Sequence, residues 1–428
     1  MVRHQQRTSG KTVERHKPRA VSIALSLLAL CFIVPLPATA QISDGVVRIG
    51  VLGDYGSGRD LGGPGSVTAA KLAAEDFGGK VLSKPIQILG ADHQNKPDIA
   101  SAIARKWFDI EHVDAITDLA VSSVGLAVER LAAQMSRTVL ISGAATSEIT
   151  GQHCAAVATQ WSDDTYVLSA GLGRALTERV GKKWFFMTVD QAFGTAMYAD
   201  GKAAVEKAGG QVVGRVSFPF NPPDFASYFI PAQNSGANIV AIASTGNDLI
   251  VAVKQAHEFG MPAAGFTLVG MLTFISDVHT LGLDIAQGLY VASEYYWDAD
   301  DGSRAFAKRF FEIEKKQPTK LQASTYAAVR HYLRAIESAG TDEAIAVNKK
   351  MREMPVEFFG RSGRIRTDGR VIYDLALYQV KSPAETRYPW DYYNKIADMP
   401  GETTFRSETA GGCPLVAGAN TRASEGPR

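Results

Sequence analysis

Strand-like and helix-like segments alternate along this chain, and the alternation occurs twice. The first series opens with VVRIGVL at 46–52 and closes with TVLISG at 138–143. The second begins with a helix-like segment at 165–180 and ends with GLYVASEYY at 288–296. Alternation at this spacing is typical of βαβ units, whose parallel sheet is covered by helices on both faces. The sequence therefore predicts an α/β fold with two halves of similar size.

Two helices and a hairpin are predicted after the second series. GSRAFAKRFFEIEKK and QASTYAAVRHYLRAIESAG carry apolar residues at helical spacing. RIRTDGRVIYDLALYQV predicts a β-hairpin that turns at Asp368-Gly369. The polar tail at 417–428 is predicted to be disordered.

Residues 1–40 have the pattern of a secretory signal peptide. Six basic residues and one acid precede the apolar run AVSIALSLLALCFIV, and Ala38-Thr39-Ala40 follows. A basic segment, an apolar run of this length and an A-x-A site favour export to the periplasm, with cleavage after Ala40. An uncleaved anchor, or a lipoprotein modified at Cys31, is the alternative.

The mature chain would be mildly acidic and would keep two cysteines. Without residues 1–40 it has 39 basic and 43 acidic side chains, a net charge of −4, which argues against nucleic-acid binding. Cys154 and Cys413 are expected to form a disulfide in an oxidising compartment, and two separate thiols are the alternative. The bond would tie down a C-terminal segment that has little continuous apolar surface.

Signatures of catalysis are missing from the sequence. It contains no H-E-x-x-H, no G-x-S-x-G, no C-x-x-C and no histidine cluster with metal spacing. Gly56-Ser57-Gly58-Arg59-Asp60-Leu61 fails the dinucleotide pattern at its third glycine position. We therefore expect no enzyme activity, no metal and no cofactor.

Three loops follow strands of the first half and precede helices, and ligands bind at that edge in open α/β sheets. They are the Gly-rich loop 53–65, the loop 120–125 and the loop 142–150. Ser122 and Ser123 stand where a helix starts, so that its N–H groups favour a carboxylate. Thr146 adds a hydroxyl in the third loop. A simple serine N-cap is the alternative for the second loop.

Taken together, several motifs resemble the substrate-binding proteins of ABC importers, of the branched-chain amino-acid-binding type. They span about residues 45–380 and are VRIGVLGDYGSG…DLGGPGS, AAKLAAEDFGG, the SS-x-x-x-A helix start, VLISGAATSEIT, VDQAFG and STYAAV. The resemblance implies two Rossmann-like lobes with parallel sheets, joined by a three-strand hinge, which close on a ligand as a type I periplasmic clamshell.

The resemblance also implies boundaries for these lobes. Lobe one would comprise 43–160 plus 292–365, and lobe two 161–291 plus 366–385. A C-terminal segment at 386–416 would pack across the surface.

Ligand-binding residues follow from the positions that match family motifs. These positions are Ser122, Ser123, Ala145, Thr146, Phe193 and Asn247. Members that bind amino acids place an acid after the strand that corresponds to FTLVG, whereas this chain has Met271 there. Because Met271 cannot hold an ammonium group, we expect the ligand to be an organic acid. If the acid is aromatic, Trp161 and Phe193 could sandwich its ring. Ordinary core packing is the alternative for both rings.

These observations predict the solute-binding component of an ABC importer, which hands a carboxylate-bearing solute to an inner-membrane permease. The solute is expected to be an aromatic or other organic acid, or an amino-acid-like one. The chain is expected to act as a monomer. A ligand sensor of the same fold is the alternative, and an exported hydrolase is a weaker one.

Overall fold

The computed structural model describes residues 42–56 and 62–416. The predicted signal peptide with its cleavage site, part of the Gly-rich loop and the predicted disordered tail lie outside these residues. Among the residues that are described, no helix combines the length and the apolar character needed to cross a bilayer.

The first sheet has six strands in the order β2-β3-β1-β4-β5-β6. All its neighbours are parallel except β2 and β3, which form an antiparallel pair at one edge. Every residue of β4 and β5 is buried, as the apolar runs AIT and VLI require. The strands are β1 Val47–Gly53, β2 Lys80–Val81, β3 Lys84–Asp92, β4 Ala115–Asp118, β5 Thr138–Ile141 and β6 Ala158–Gln160. The helices of this part are α1 Gly63–Glu75, α2 Pro97–Asp109 and α3 Ser122–Met135.

The second sheet has four parallel strands in the order β10-β9-β7-β8. Its central strand β9 is buried at every residue. The strands are β7 Lys183–Val189, β8 Gln211–Phe218, β9 Ile239–Ala243 and β10 Thr267–Gly270. The helices are α4 Thr165–Arg179, α5 Ala192–Lys207, α6 Ala226–Asn234, α7 Asn247–Glu258, α8 Ile275–Leu281 and α9 Leu283–Ala286. The predicted α/β fold with two parallel sheets is confirmed.

The remaining chain forms four helices, two small antiparallel sheets and short turns. Its helices are α10 Asp301–Glu314, α11 Lys320–Ala339, α12 Ala344–Glu353 and α13 Gly401–Thr404. Its strands are β11 Tyr290–Ser293, β12 Val356–Phe358, β13 Arg361–Ile365, β14 Val371–Ile372, β15 Leu375–Val380 and β16 Tyr393–Met399. Single 3₁₀ turns occupy Pro383–Glu385 and Glu408–Gly411. The predicted hairpin is confirmed: β13 pairs with β14, and Gly369 turns the chain at a φ of +85°.

The C-terminal segment is held by a disulfide and by a strand. Cys154 and Cys413 are bonded, with their Cα atoms 5.6 Å apart, so the predicted pairing is present. A second anchor, which the sequence did not predict, is β16, since it pairs with β15 over six residue pairs. Tyr393 and Met399 are buried at the two ends of that strand.

Buried charges gather where the chain passes between the two parallel sheets. The Lys320 ammonium donates to Asp163 and, at 3.2 Å, to the carbonyl oxygen of Ala292. The Arg370 guanidinium donates to the carbonyl oxygen of Ser162. Lys320, Asp163 and Arg370 are at most 4% exposed. These contacts tie together four segments that are distant in sequence, and we call this group the crossover cluster.

Candidate functional site

The carboxyl ends of both parallel sheets line one cleft. From the first sheet, Ala120–Ser122 follow β4, and Gly143 and Ala145 follow β5. From the second sheet come residues at the ends of three strands, together with one residue of α11: Val189, Gln191, Phe193, Ser244, Thr245, Leu272, Phe274 and Leu321. This edge is where open α/β sheets bind their ligands.

The cleft is narrow in this structure. Its cavity volume is about 30 Å³, which is room for about one or two water molecules. A larger ligand can therefore enter only if the two sides of the cleft move apart.

Three helices begin at the cleft without a side-chain cap. They are α3 after Val121, α5 after Gln191 and α7 after Gly246, and in none of them does the N-cap side chain accept a hydrogen bond. The first N–H groups of a helix have no partner within the helix, and the helix dipole makes this end partly positive. The cleft therefore offers several N–H donors to an anion.

Hydroxyl groups lie beside these helix starts. The Ser122 Oγ accepts the Thr146 N–H at 3.2 Å, so that its own hydrogen is available to a ligand. Thr245 is 8% exposed, and its hydroxyl has no hydrogen-bond partner among the described residues. An unpartnered buried hydroxyl costs free energy, and a polar ligand atom would satisfy it.

Aromatic and aliphatic side chains form the rest of the lining. Phe193 and Phe274 contribute rings, and Leu272, Leu321 and Val189 contribute aliphatic surface. Phe274 is 1% exposed and Phe193 9%. Such a lining suits a ligand with an apolar body and few polar groups.

No ionisable side chain of the described residues lines this cavity. Two buried acids lie directly behind it: Asp118 accepts the Gly63 N–H at 2.9 Å, and Asp248 in the first turn of α7 accepts the hydroxyl of the lining residue Ser244 at 3.5 Å. Burial raises the pKa of Asp118 to about 8. This carboxyl group is therefore largely neutral at pH 7 while the cleft is empty.

Three predicted site residues line the cleft, namely Ser122, Ala145 and Phe193. Two others lie in the same loops but not in the lining. Ser123 is half-buried on the first turn of α3, and Thr146 is buried with its N–H on Ser122.

The other three predicted residues lie elsewhere. Trp161 is fully buried, its ring N–H donates to the Thr159 hydroxyl, and it contacts His331 with ring centres 5.5 Å apart. Met271 is 1% exposed and immediately precedes the lining residue Leu272. Asn247 is exposed on the first turn of α7. Whether these three contact a ligand stays a prediction.

Sequence reasoning missed several lining residues. Ser244 and Thr245 end the strand motif NIVAIAST, so a closer count from the strand end would have found them. Gln191 lies within VDQAFG and Phe274 within GMLTF, which were both singled out for other residues. Leu321 carries no local signal, because α11 reaches the cleft from a distant part of the sequence.

A metal site has no support in the part of the chain that the structure describes. Residues 42–56 and 62–416 contain no group of three or more histidine, cysteine or acidic side chains placed to hold an ion.

Comparison with known proteins identifies the family. Residues 46–385 match a family described as periplasmic binding protein. A periplasmic binding protein from Burkholderia mallei, known from a crystal structure, is 39% identical with a TM-score of 0.85, over 87% of this chain and 99% of that one. A branched chain amino acid ABC transporter periplasmic ligand-binding protein from Burkholderia xenovorans is 36% identical with a TM-score of 0.78, over 86% of this chain and 99% of that one.

A more distant neighbour shares the fold alone. It is an ABC transporter solute binding protein from R. palustris in complex with 4-hydroxybenzoate, 20% identical with a TM-score of 0.77 over 84% of this chain and 98% of that one. With two parallel sheets that meet at one cleft, and with a family match across most of its length, the chain belongs to the periplasmic binding proteins of type I fold, which bind small solutes and deliver them to ABC permeases.

Proposed function

We propose that this protein captures a small organic acid in the periplasm and presents it to an inner-membrane ABC permease. The observation that carries the proposal is the polarity of the cleft. The cleft contains three uncapped helix starts and the unpartnered Thr245 hydroxyl. No ionisable side chain of the described residues lines its cavity. Such a site stabilises one negative charge and leaves a positive charge without a partner.

A free α-amino acid fits this cleft less well than its desamino counterpart. Its carboxylate would be held by the helix starts, but its ammonium group would be buried without an anion. An unpaired buried charge is costly, so selectivity against the ammonium group follows from the lining itself. The rings of Phe193 and Phe274 favour an aromatic body, and the 4-hydroxybenzoate of the R. palustris neighbour guides the choice of probe.

Binding would proceed by closure of two lobes, and no covalent bond would change. The solute first meets N–H and hydroxyl groups that follow β4 and β5, and the part that carries the second sheet then closes over it. The narrow cavity supports this order, since a solute larger than water needs an open state to enter. We propose the boundaries 43–160 plus 292–365 and 161–291 plus 366–385 for the moving bodies.

A thermal-shift panel with leucine, phenylalanine, benzoate and a hydroxycinnamate tests this assignment. A true ligand at about 100-fold its Kd stabilises the native state by about 2.7 kcal/mol, which raises the melting temperature. We expect a shift with an aromatic acid and none with leucine. A shift with leucine alone would contradict the proposal.

Thr245→Val then tests the cleft itself. Loss of a hydrogen bond to a charged group should weaken binding of the acid about tenfold. Thr280→Val is the matched control, because Thr280 is exposed and bonds only within its own helix, to the carbonyl oxygen of Ser276. Equal affinities in all three proteins would place the ligand outside this cleft.

A further inference from the structure

A second and larger cavity lies away from the cleft and shares no lining residue with it. Its volume is about 420 Å³. The segment 296–300 forms one wall, β15 and β16 form the floor, and residues 388–391 close another side. A small organic molecule fits this space without any movement of the chain.

Three tyrosines form the aromatic side of this cavity. The rings of Tyr296, Tyr378 and Tyr393 pack with centres 5.0–5.7 Å apart, and each residue is 6% exposed. Tyr388 adds a fourth, more exposed ring at the mouth. Tyrosine faces attract cations through their ring quadrupole.

Carboxylates outnumber cations around the same space. The lining contains the acids Asp298, Asp300, Asp374, Asp391 and Asp398, and the bases Arg361, Lys381 and Lys395. The formal balance of these eight side chains is −2.

The three bases are already engaged. Lys381 pairs with Asp391, and Lys395 pairs with Asp398. The Arg361 guanidinium donates to the carbonyl oxygens of Asp374 and Glu294, at 2.9 and 2.7 Å. Asp298 is paired with Arg304 at 3.1 Å, so Asp300 and Asp374 are the two acids of the lining that no cation of the described residues contacts.

The Tyr378 hydroxyl is a polar group open to a ligand in this cavity. The residue is almost fully buried and lines the cavity, yet its hydroxyl makes no hydrogen bond to the described residues and is not sealed from solvent. Burial raises the pKa of Tyr378 to about 12, so the group stays protonated at neutral pH and offers a lone pair to a donor. Asp298 lies in the same lining and accepts hydrogen bonds from Arg304 and Tyr388.

We propose that this cavity is a second binding site, which takes a small organic cation with an ammonium or guanidinium group. Carboxylates would accept its N–H groups, the tyrosine faces would contact its charge, and the Tyr378 oxygen would accept one further hydrogen bond. Since the segments 296–300 and 374–381 both line the cavity, its occupant would also bridge two of the stretches that connect the lobes.

Calorimetry with agmatine, at low salt, tests the proposal on the mature protein. Agmatine carries both cationic groups, and 1,4-butanediol serves as a neutral probe of similar chain length. We expect saturable binding of agmatine that weakens as sodium chloride is added, and no binding of the diol. Absence of agmatine binding, or equal binding of the diol, would overturn the proposal.

Two variants locate the cation. Asp298→Asn should weaken agmatine binding about tenfold, and Tyr378→Phe about threefold, whereas Asp109→Asn should have no effect because Asp109 is exposed at the end of α2 and does not line the cavity. Tyr378→Phe keeps the ring packing, so it remains informative if Asp298→Asn fails to fold. Unchanged affinity in Tyr378→Phe and Asp298→Asn together would refute this location, as would a loss of agmatine binding in Thr245→Val.

Discussion

Replacing Lys320 by methionine should strongly destabilise the protein, because it removes the only cation that directly contacts the buried Asp163 carboxylate among the described residues. Lys320, Asp163 and Glu294 are 4%, 0% and 1% exposed. One oxygen of Asp163 and one of Glu294 are already without a hydrogen-bond partner in the described chain. Methionine is close to lysine in length and fills the space, but it cannot donate to a carboxylate.

The expected loss follows from the buried position of the pair. Removal of one partner of a buried ion pair costs about 3–5 kcal/mol, since the remaining charge stays desolvated. Unfolding entropy of about 2.1 cal/mol/K per residue converts this loss into a melting point about 4–6 °C lower for a chain of this size. Lys349→Met is the matched control, because Lys349 is 78% exposed and its acid partner lies 3.9 Å away. It should change stability by less than about 0.5 kcal/mol.

The destabilisation should also depend on pH. Burial raises the pKa of Asp163 well above its ordinary value, Glu294 adds to this, and Lys320 opposes it. The native state therefore holds a proton that the unfolded chain releases, so stability falls as pH rises from the unfolded pKa towards the native one. Without the ammonium group, the native pKa of Asp163 rises further, and the fall in stability continues to higher pH.

Urea denaturation at pH 5 and pH 8 measures both effects. We expect Lys320→Met to lose more free energy of unfolding at pH 8 than at pH 5, and Asp163→Asn in the same chain to restore part of it. A loss below about 1 kcal/mol at pH 8, or an equal loss at both pH values, would refute the role assigned to the crossover cluster.

Three further outcomes follow from the structure. The double variant Cys154→Ser, Cys413→Ser should lower the melting temperature as much as reduction of the wild type does. The bond closes a loop of 259 residues, and such a closure stabilises by up to about 5 kcal/mol. Equal melting temperatures of the wild type with and without reductant would contradict this. Glu129→Met should stabilise the protein at pH 8 more than at pH 5, because both carboxylate oxygens of Glu129 are buried without partners in the described chain and burial raises its pKa; urea curves at the two pH values check it. Small-angle scattering should show a smaller radius of gyration when a bound acid saturates the cleft, and an unchanged radius would argue against closure.

The features that the sequence predicted well are those set by local patterns. Strand and helix periodicity is a property of neighbouring residues, so the two parallel sheets were predictable. The turn at Gly369 followed from its Asp-Gly pair in the same way. Loops at strand ends also follow from topology, which is how the loops of Ser122 and Ala145 were singled out, whereas Phe193 was implied by the family resemblance.

Features that depend on contacts between residues far apart in the sequence could not be predicted from it. β16 has the mixed pattern YNKIADM, and only its pairing with β15 makes it a strand. Leu321 reaches the cleft through the packing of α11. The direction of a side chain just past a strand is equally hidden: the sequence did not show that Trp161 is fully buried beside His331, and its contact with a ligand stays a prediction.

The central claim is that the cleft holds a carboxylate and has no partner for an ammonium group. The most direct test is a calorimetric comparison of 3-phenylpropionate with phenylalanine, repeated with 4-methylpentanoate and leucine, because the members of each pair differ only in the α-ammonium group. In whichever pair binds to the cleft, we expect the acid without the ammonium group to bind at least tenfold more tightly than the corresponding amino acid. Equal or tighter binding of the amino acid would contradict it, and would mean that an anionic partner for the ammonium group completes the site.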